Sequence, residues 1–159
     1  MEKILRRVYN SEKTTKSLKI ISHVSSFAVV IAFAAMLAVS CFDSISSAVK
    51  ILTFAAVPYV IVTLARRLIN AKRPYETYGF YEVKPKDKNG LSFPSRHVFS
   101  AFVIATLALL ISVWLAIPLF LIGLCIAVSR VLTGMHFVRD VIAGALVGIL
   151  AGVIGILVF

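Results

Sequence analysis

Two histidines, an aspartate and several arginines stand at the ends of long apolar runs, where polar side chains are costly. They fall into three groups. The first is Arg66, six intervening residues, then Arg73-Pro74. The second is Pro94-Ser95-Arg96-His97, and the third is Ser129-Arg130, five residues, His136, three residues, Asp140. These residue types suit phosphoryl chemistry. Guanidinium groups offer planar, permanently charged forks that match phosphate oxygens. Ser95 can add a hydroxyl, and amides at a helix start beginning there can add N–H groups aimed at an anion. His97 and His136 can divide the roles of nucleophile and general acid. Asp140 lies four residues after His136, so on a helix the two share a face. A carboxylate there would hold one imidazole tautomer and leave the other ring nitrogen to attack.

The elements that must position these groups are membrane helices. The chain has 159 residues, 60% of them hydrophobic and 15% charged. One soluble core of that size cannot hide so much apolar surface. The charges cluster and the gaps between clusters are apolar, as in a chain threaded through a bilayer at about 20 apolar residues per crossing. The spans read as Leu18–Ser40, Ser46–Ile69, Arg96–Ala116, Leu119–Leu132 and Val138–Phe159, with Pro118 marking a tight connection. The fold class is therefore all-α, a polytopic bundle of about five spans. Alternating strand patterns are missing, which argues against a barrel. Residues 1–17 are basic with a short Ile4, Leu5, Val8 stripe, and fit a helix on the membrane surface or a frayed tail. Residues 18–159 form the membrane domain. The run from Leu18 to Cys41 exceeds a signal core of roughly 7–15 residues and reads as a retained span. Cys41 and Cys125 read as small buried hydrophobes. Gly144, Gly148 and Gly152 suit close helix packing, within one bundle or across a dimer.

Chain parity tests whether the three groups meet. The second span ends where the third must begin, and the fourth returns to the side where the fifth starts. All three groups therefore share one membrane side.

Together they resemble the three-part signature of the type 2 phosphatidic acid phosphatase superfamily, which includes polyprenyl diphosphate phosphatases, glucose-6-phosphatase and vanadium haloperoxidases. The family pattern is lysine, six residues, arginine-proline; then proline-serine-glycine-histidine; then the full Ser129 to Asp140 pattern. This chain departs at Arg66, where lysine is usual, and at Arg96, where glycine is usual. The resemblance implies that His136 is the nucleophile and forms a phosphohistidine, that Asp140 orients it, and that His97 protonates the leaving oxygen and later activates water. It implies phosphate binding by Arg66, Arg73, Ser95 and Arg130, with Arg96 added. It implies no metal and no cofactor, because arginines supply the positive charge.

Other polar and aromatic residues have plainer readings. Arg67, Lys72 and Arg139 read as anchors reaching for headgroups, although Arg67 could replace Arg66 after a small register shift. Tyr75, Tyr78, Phe80 and Tyr81 read as an interfacial aromatic belt. His23 reads as an interfacial contact.

The expected function is hydrolysis of a lipid phosphate monoester or diphosphate, such as phosphatidic acid or phosphatidylglycerol phosphate. The alternatives are a polyprenyl diphosphate phosphatase and a catalytically inactive lipid-phosphate-binding protein. The partners are the lipid substrate and the bilayer. The net charge of +10 suits anionic lipid, and long apolar runs leave no room for a nucleic-acid domain. All but Lys50 of the 17 lysines and arginines fall on the side of the three groups. The positive-inside rule makes that side cytoplasmic, whereas the resemblance to many bacterial members implies an outward-facing site.

Overall fold

A computed structural model describes residues 1–79 and 89–158. Phe80, Tyr81 and the charged stretch 84–88 lie outside the described residues, as does Phe159. The order is α1 (Glu2–Tyr9), α2 (Glu12–Asp43), α3 (Ile45–Ile69), the short α4 (Pro74–Thr77), α5 (Arg96–Leu107), α6 (Val113–Leu132) and α7 (Val138–Val158). No strand occurs among the described residues, so the all-α reading holds. Four helices, α2, α3, α6 and α7, are long and apolar enough to cross a bilayer, and the protein is a multi-pass membrane protein. Their outward faces carry Val24, Phe27, Val60, Leu121, Leu146 and Leu150, all exposed to what would be lipid.

Serine side chains set the helix boundaries. Ser11 Oγ accepts from the Thr14 amide at 3.3 Å and starts α2. Ser44 ends α2 and begins α3, its hydroxyl accepting from Ser46 N at 3.2 Å. Asn70 closes α3 in the left-handed region at φ 43°. α2 begins six residues before the expected span, and its 32 residues extend about 48 Å, well beyond a hydrocarbon core of about 30 Å. Its first two turns, with Lys13, Lys16 and Lys19, therefore stand in the headgroup region.

The third span needs correction. α5 is only 12 residues, extended by a 3-10 turn over Ala108–Leu110. Ser112 then caps α6, accepting from Trp114 N at 3.2 Å. The connection is at 111–112 and Pro118 lies inside α6. There it forgoes a single hydrogen bond, to the Trp114 carbonyl. The short helix is tolerated because α5 is the centre of the bundle. Val98, Phe99 and the whole stretch Ala101–Ala108 are buried, so α5 need not match the bilayer.

α5 packs most extensively on α7. The glycines of α7 make this possible. A methyl group at Gly144 would stand 2.6 Å from the Ser95 carbonyl oxygen, and at Gly148 2.7 Å from that of Phe99. Gly152 faces the Thr106 side chain in the same way. The glycine stripe is thus used inside the bundle. Two further expectations fail. Cys41 and Cys125 are exposed on outer helix faces, and Tyr75 is fully buried rather than part of a belt.

Gly148→Ala should lower stability by roughly 1–3 kcal/mol, the usual cost of overpacking a tight contact. The check is thermal denaturation in detergent, and an unchanged midpoint would contradict this account of the seam.

Candidate active site

The three sequence groups converge at one end of the bundle. Arg66 is the last-turn residue of α3 that points inward, and it is only 5% exposed. Its guanidinium donates to the carbonyls of Pro94 and Leu91. Arg73, also buried, donates from Nε to the Gly90 carbonyl at 2.8 Å. Ser92 N donates to the Ala71 carbonyl at 2.9 Å. The segment after α3 and the segment before α5 are thereby stitched together. Arg67, one residue along, is exposed, so of the two it is Arg66 whose side chain turns into the bundle.

His136 sits in the turn between α6 and α7, 3% exposed. Its Nδ1 is 2.8 Å from the Ser92 carbonyl oxygen. A carbonyl only accepts, so Nδ1 carries the proton and Nε2 presents the lone pair. Asp140 is farther away, with Oδ2 3.7 Å from Nδ1. Its Oδ2 accepts instead from the Ser92 hydroxyl and, at 2.9 Å, from the Phe137 amide. The latter bond reaches back from the first turn of α7 to its cap, half of a capping box. The Asp140 carbonyl also takes the Ser95 amide at 2.9 Å. His136 and Asp140 do lie together, but not on one helix face as the i, i+4 spacing suggests, because His136 precedes the first residue of α7. Sequence reasoning missed Ser92, which stands between them and belongs to none of the three groups. Its only sequence signal is its position three residues before Ser95.

A cavity of about 230 Å³ gathers Arg66, Arg73, Arg96, His97, Arg130 and His136 from all three groups. Thr63, Asn89, Leu91 and Met135 also line it, as does Arg67, whose place at a span end suits an anchor. Ser95 and Asp140 do not line it and are fully buried behind the lining residues. Ser95 Oγ and Arg130 Nε are buried polar atoms with no hydrogen-bond partner among the described residues. Arg96 lies over the ring of Tyr59, its guanidinium carbon 5.6 Å from the centroid. His97 is exposed to the cavity. A second, more open space of about 400 Å³ shares Arg96 and His97 and runs between α2, α3, α5 and α6 past Val29, Val30, Ile104 and Ile126.

Residues 26–159 match the PAP2 superfamily. The chain belongs to that superfamily. The three PAP2 motif segments identified above all fall within the matched region. Lipid A 1-phosphatase of Porphyromonas gingivalis is 34% identical over 82 residues, a match covering 49% of this chain and 18% of that protein. The chain thus spans only a small part of that relative's length. Two PAP2-like folds align over 97% of this chain. The crystal structure of Aquifex aeolicus LpxE does so with a TM-score of 0.68 at 23% identity, covering 93% of that chain. That of a transmembrane PAP2 type phosphatidylglycerolphosphate phosphatase from Bacillus subtilis gives 0.70 at 20%, covering 81%. These two likenesses establish the PAP2 fold.

Burial lowers the His136 pKa to about 4, with the Arg73 and Arg66 charges adding to it against the pull of Asp140. The folded state thus favours neutral imidazole. Between about pH 6.5 and 4 the unfolded chain binds the proton and the folded chain does not, so stability falls as pH falls through this window. Thermal midpoints in detergent should drop across it in the parent protein and less steeply in His136→Gln. Parallel profiles would contradict a buried neutral His136.

Proposed function

We propose that this chain is an integral membrane phosphatase that cleaves a phosphate monoester or diphosphate of a lipid through a phosphohistidine on His136. The observation that carries the reading is the single cavity where His136, His97 and four motif arginines meet. A neutral imidazole whose Nδ1–H is held by the Ser92 carbonyl offers Nε2 to phosphorus. Attack forms the N–P bond and breaks the P–O bond to the lipid. His97 donates the proton that the leaving oxygen needs. In the second half His97 takes a proton from water, whose oxygen displaces His136 and releases phosphate. Arg66, Arg73, Arg96 and Arg130 neutralise the phosphoryl oxygens, while Ser95, buried behind the lining, supports the start of α5 rather than touching the phosphate. That concentration of fixed positive charge supports a reaction without a metal. Asp140 acts on His136 chiefly through Ser92, by orienting the carbonyl that holds Nδ1.

The apolar space beside Arg96 and His97 supports an amphiphilic substrate, with its headgroup among the arginines and its tail toward lipid. Five arginines line the cavity, more than a single phosphate engages, and this favours the diphosphate of a polyprenyl lipid as the second reading. We place the site on the cytoplasmic face, because the helix ends around it carry the basic residues and, among the described residues, only Lys50 lies at the opposite end.

Phosphate release in EDTA from phosphatidic acid, phosphatidylglycerol phosphate and a polyprenyl diphosphate should distinguish the substrates. His136→Ala should abolish turnover, and His97→Ala should lower it by about 10²–10⁴-fold, the usual share of a general acid. Folded protein that releases nothing from any of the three would exclude the phosphatase reading and leave the binding-protein alternative. Sidedness is checked by placing a cysteine at Asn10 in a Cys41→Ser, Cys125→Ser background. A membrane-impermeant maleimide should label it only after cells are lysed, and labelling of intact cells would reverse the orientation.

A further inference from the structure

The N-terminal helix reaches the turn that carries His136. Leu5 is fully buried, and a methyl group built on Gly134 would lie 3.4 Å from its Cδ2. The Tyr9 hydroxyl donates to the Thr133 carbonyl at 2.5 Å. That hydroxyl would stand 2.7 Å from a Gly134 methyl, so α1 lies directly against the turn. Gly134 has φ of +62°, a conformation suited to glycine, and no room for a side chain. On the other flank of the turn, the Gly134 carbonyl accepts from the Tyr75 amide at 3.3 Å. The Met135 and His136 amides both close back onto the Arg130 carbonyl, at 3.1 and 3.2 Å. The turn is therefore clamped between α1 and the buried Tyr75. α1 is itself fixed to α2, because the Thr15 hydroxyl donates to the Val8 carbonyl at 3.0 Å. Burial pushes the Tyr9 phenol up to about 12, which keeps it a donor throughout the working pH range.

We propose that α1 is a strut for the turn bearing His136, and that Tyr9 and Leu5 are positioning residues for the reaction. The inference rests on His136 being the attacking group. Neither residue touches the cavity. Each acts by fixing Thr133 and Gly134, two or three residues before the imidazole. The Arg130 carbonyl, which receives both following amides, belongs to a residue that lines the cavity, so a shift of the turn moves nucleophile and phosphate-binding group together. Small misplacements of reacting groups have large effects on turnover and little on substrate capture.

Tyr9→Phe removes one hydroxyl and keeps the ring. Leu5→Ala opens a gap under Gly134, and Leu5→Met refills it. With the 159-residue chain in mixed micelles of phosphatidic acid, kcat should fall about tenfold in Tyr9→Phe and Leu5→Ala, with KM held within about twofold. Leu5→Met should recover most of kcat. Hydrogen exchange should quicken at Met135 and His136 and stay unchanged along α7 in both variants, with the thermal midpoint held in Tyr9→Phe and lowered in Leu5→Ala, which loses a buried side chain. A kcat within about twofold of the parent in both variants would overturn the strut. So would a loss of activity that tracks a lowered midpoint and faster exchange in α7. His136→Ala separates the two ideas. Turnover surviving in that variant removes the histidine mechanism, whatever Tyr9 does. Its loss beside unaffected Tyr9→Phe and Leu5→Ala removes only the strut. If the parent chain shows no turnover of phosphatidic acid, the failure belongs to the functional reading, and the exchange arm decides the strut.

Discussion

A carboxylate with no exposed surface is the constraint on which the site depends. Asp140 is 0% exposed, and a buried charge without donors is costly. Its side chain collects the Ser92 hydroxyl and the Phe137 amide, and its backbone carbonyl collects the Ser95 amide. One residue thus joins the loop before α5, the start of α5 and the cap of α7. The Ser92 carbonyl, held by this arrangement, fixes the His136 tautomer. The second buried charge, Arg66, binds the same loop from the α3 side. These buried polar contacts join the three distant segments at the end of the close-packed α5–α7 seam.

Much of this was legible in the sequence because the costs are local. An arginine, histidine or aspartate at the end of an apolar run is visible without a structure, and chain parity then places all three groups on one side. The spacing of His136 and Asp140 suggested a pair on one helix face, and they are near each other although His136 lies in the turn before α7. The shared cavity of Arg66, Arg73, Arg96, His97, Arg130 and His136 follows the same logic. The glycine stripe of α7 was visible too, although its partner was not. Only the Cβ positions against Ser95 and Phe99 show that it faces α5.

What the sequence hid involves backbone atoms and burial. Ser92 serves through its carbonyl as well as its hydroxyl, and any residue type has a carbonyl. Tyr75 looks like an interfacial aromatic, since composition cannot show that the segment folds inward beneath Gly134. The boundary between α5 and α6 was misjudged because apolar residues continue through the break. Hydropathy has no term for a serine cap at Ser112, and Pro118 supplied a stronger but misleading mark. Leu5 gave an amphipathic stripe, but its contact with the turn 130 residues away is a tertiary fact.

The shortness of α5 has a consequence for biosynthesis. A segment of 15 residues that begins Arg96-His97 is a weak candidate for entering a bilayer alone, where about 20 apolar residues are usual. α6 packs on one side of this segment, but its most extensive partner is α7, which emerges from the ribosome some 40 residues later. The central helix is then fully enclosed only once the glycine-rich helix has been made. Assembly in the membrane and completion of the phosphate site would thus be a single late event, so partly made chains would hold their arginines without the cavity that gathers them.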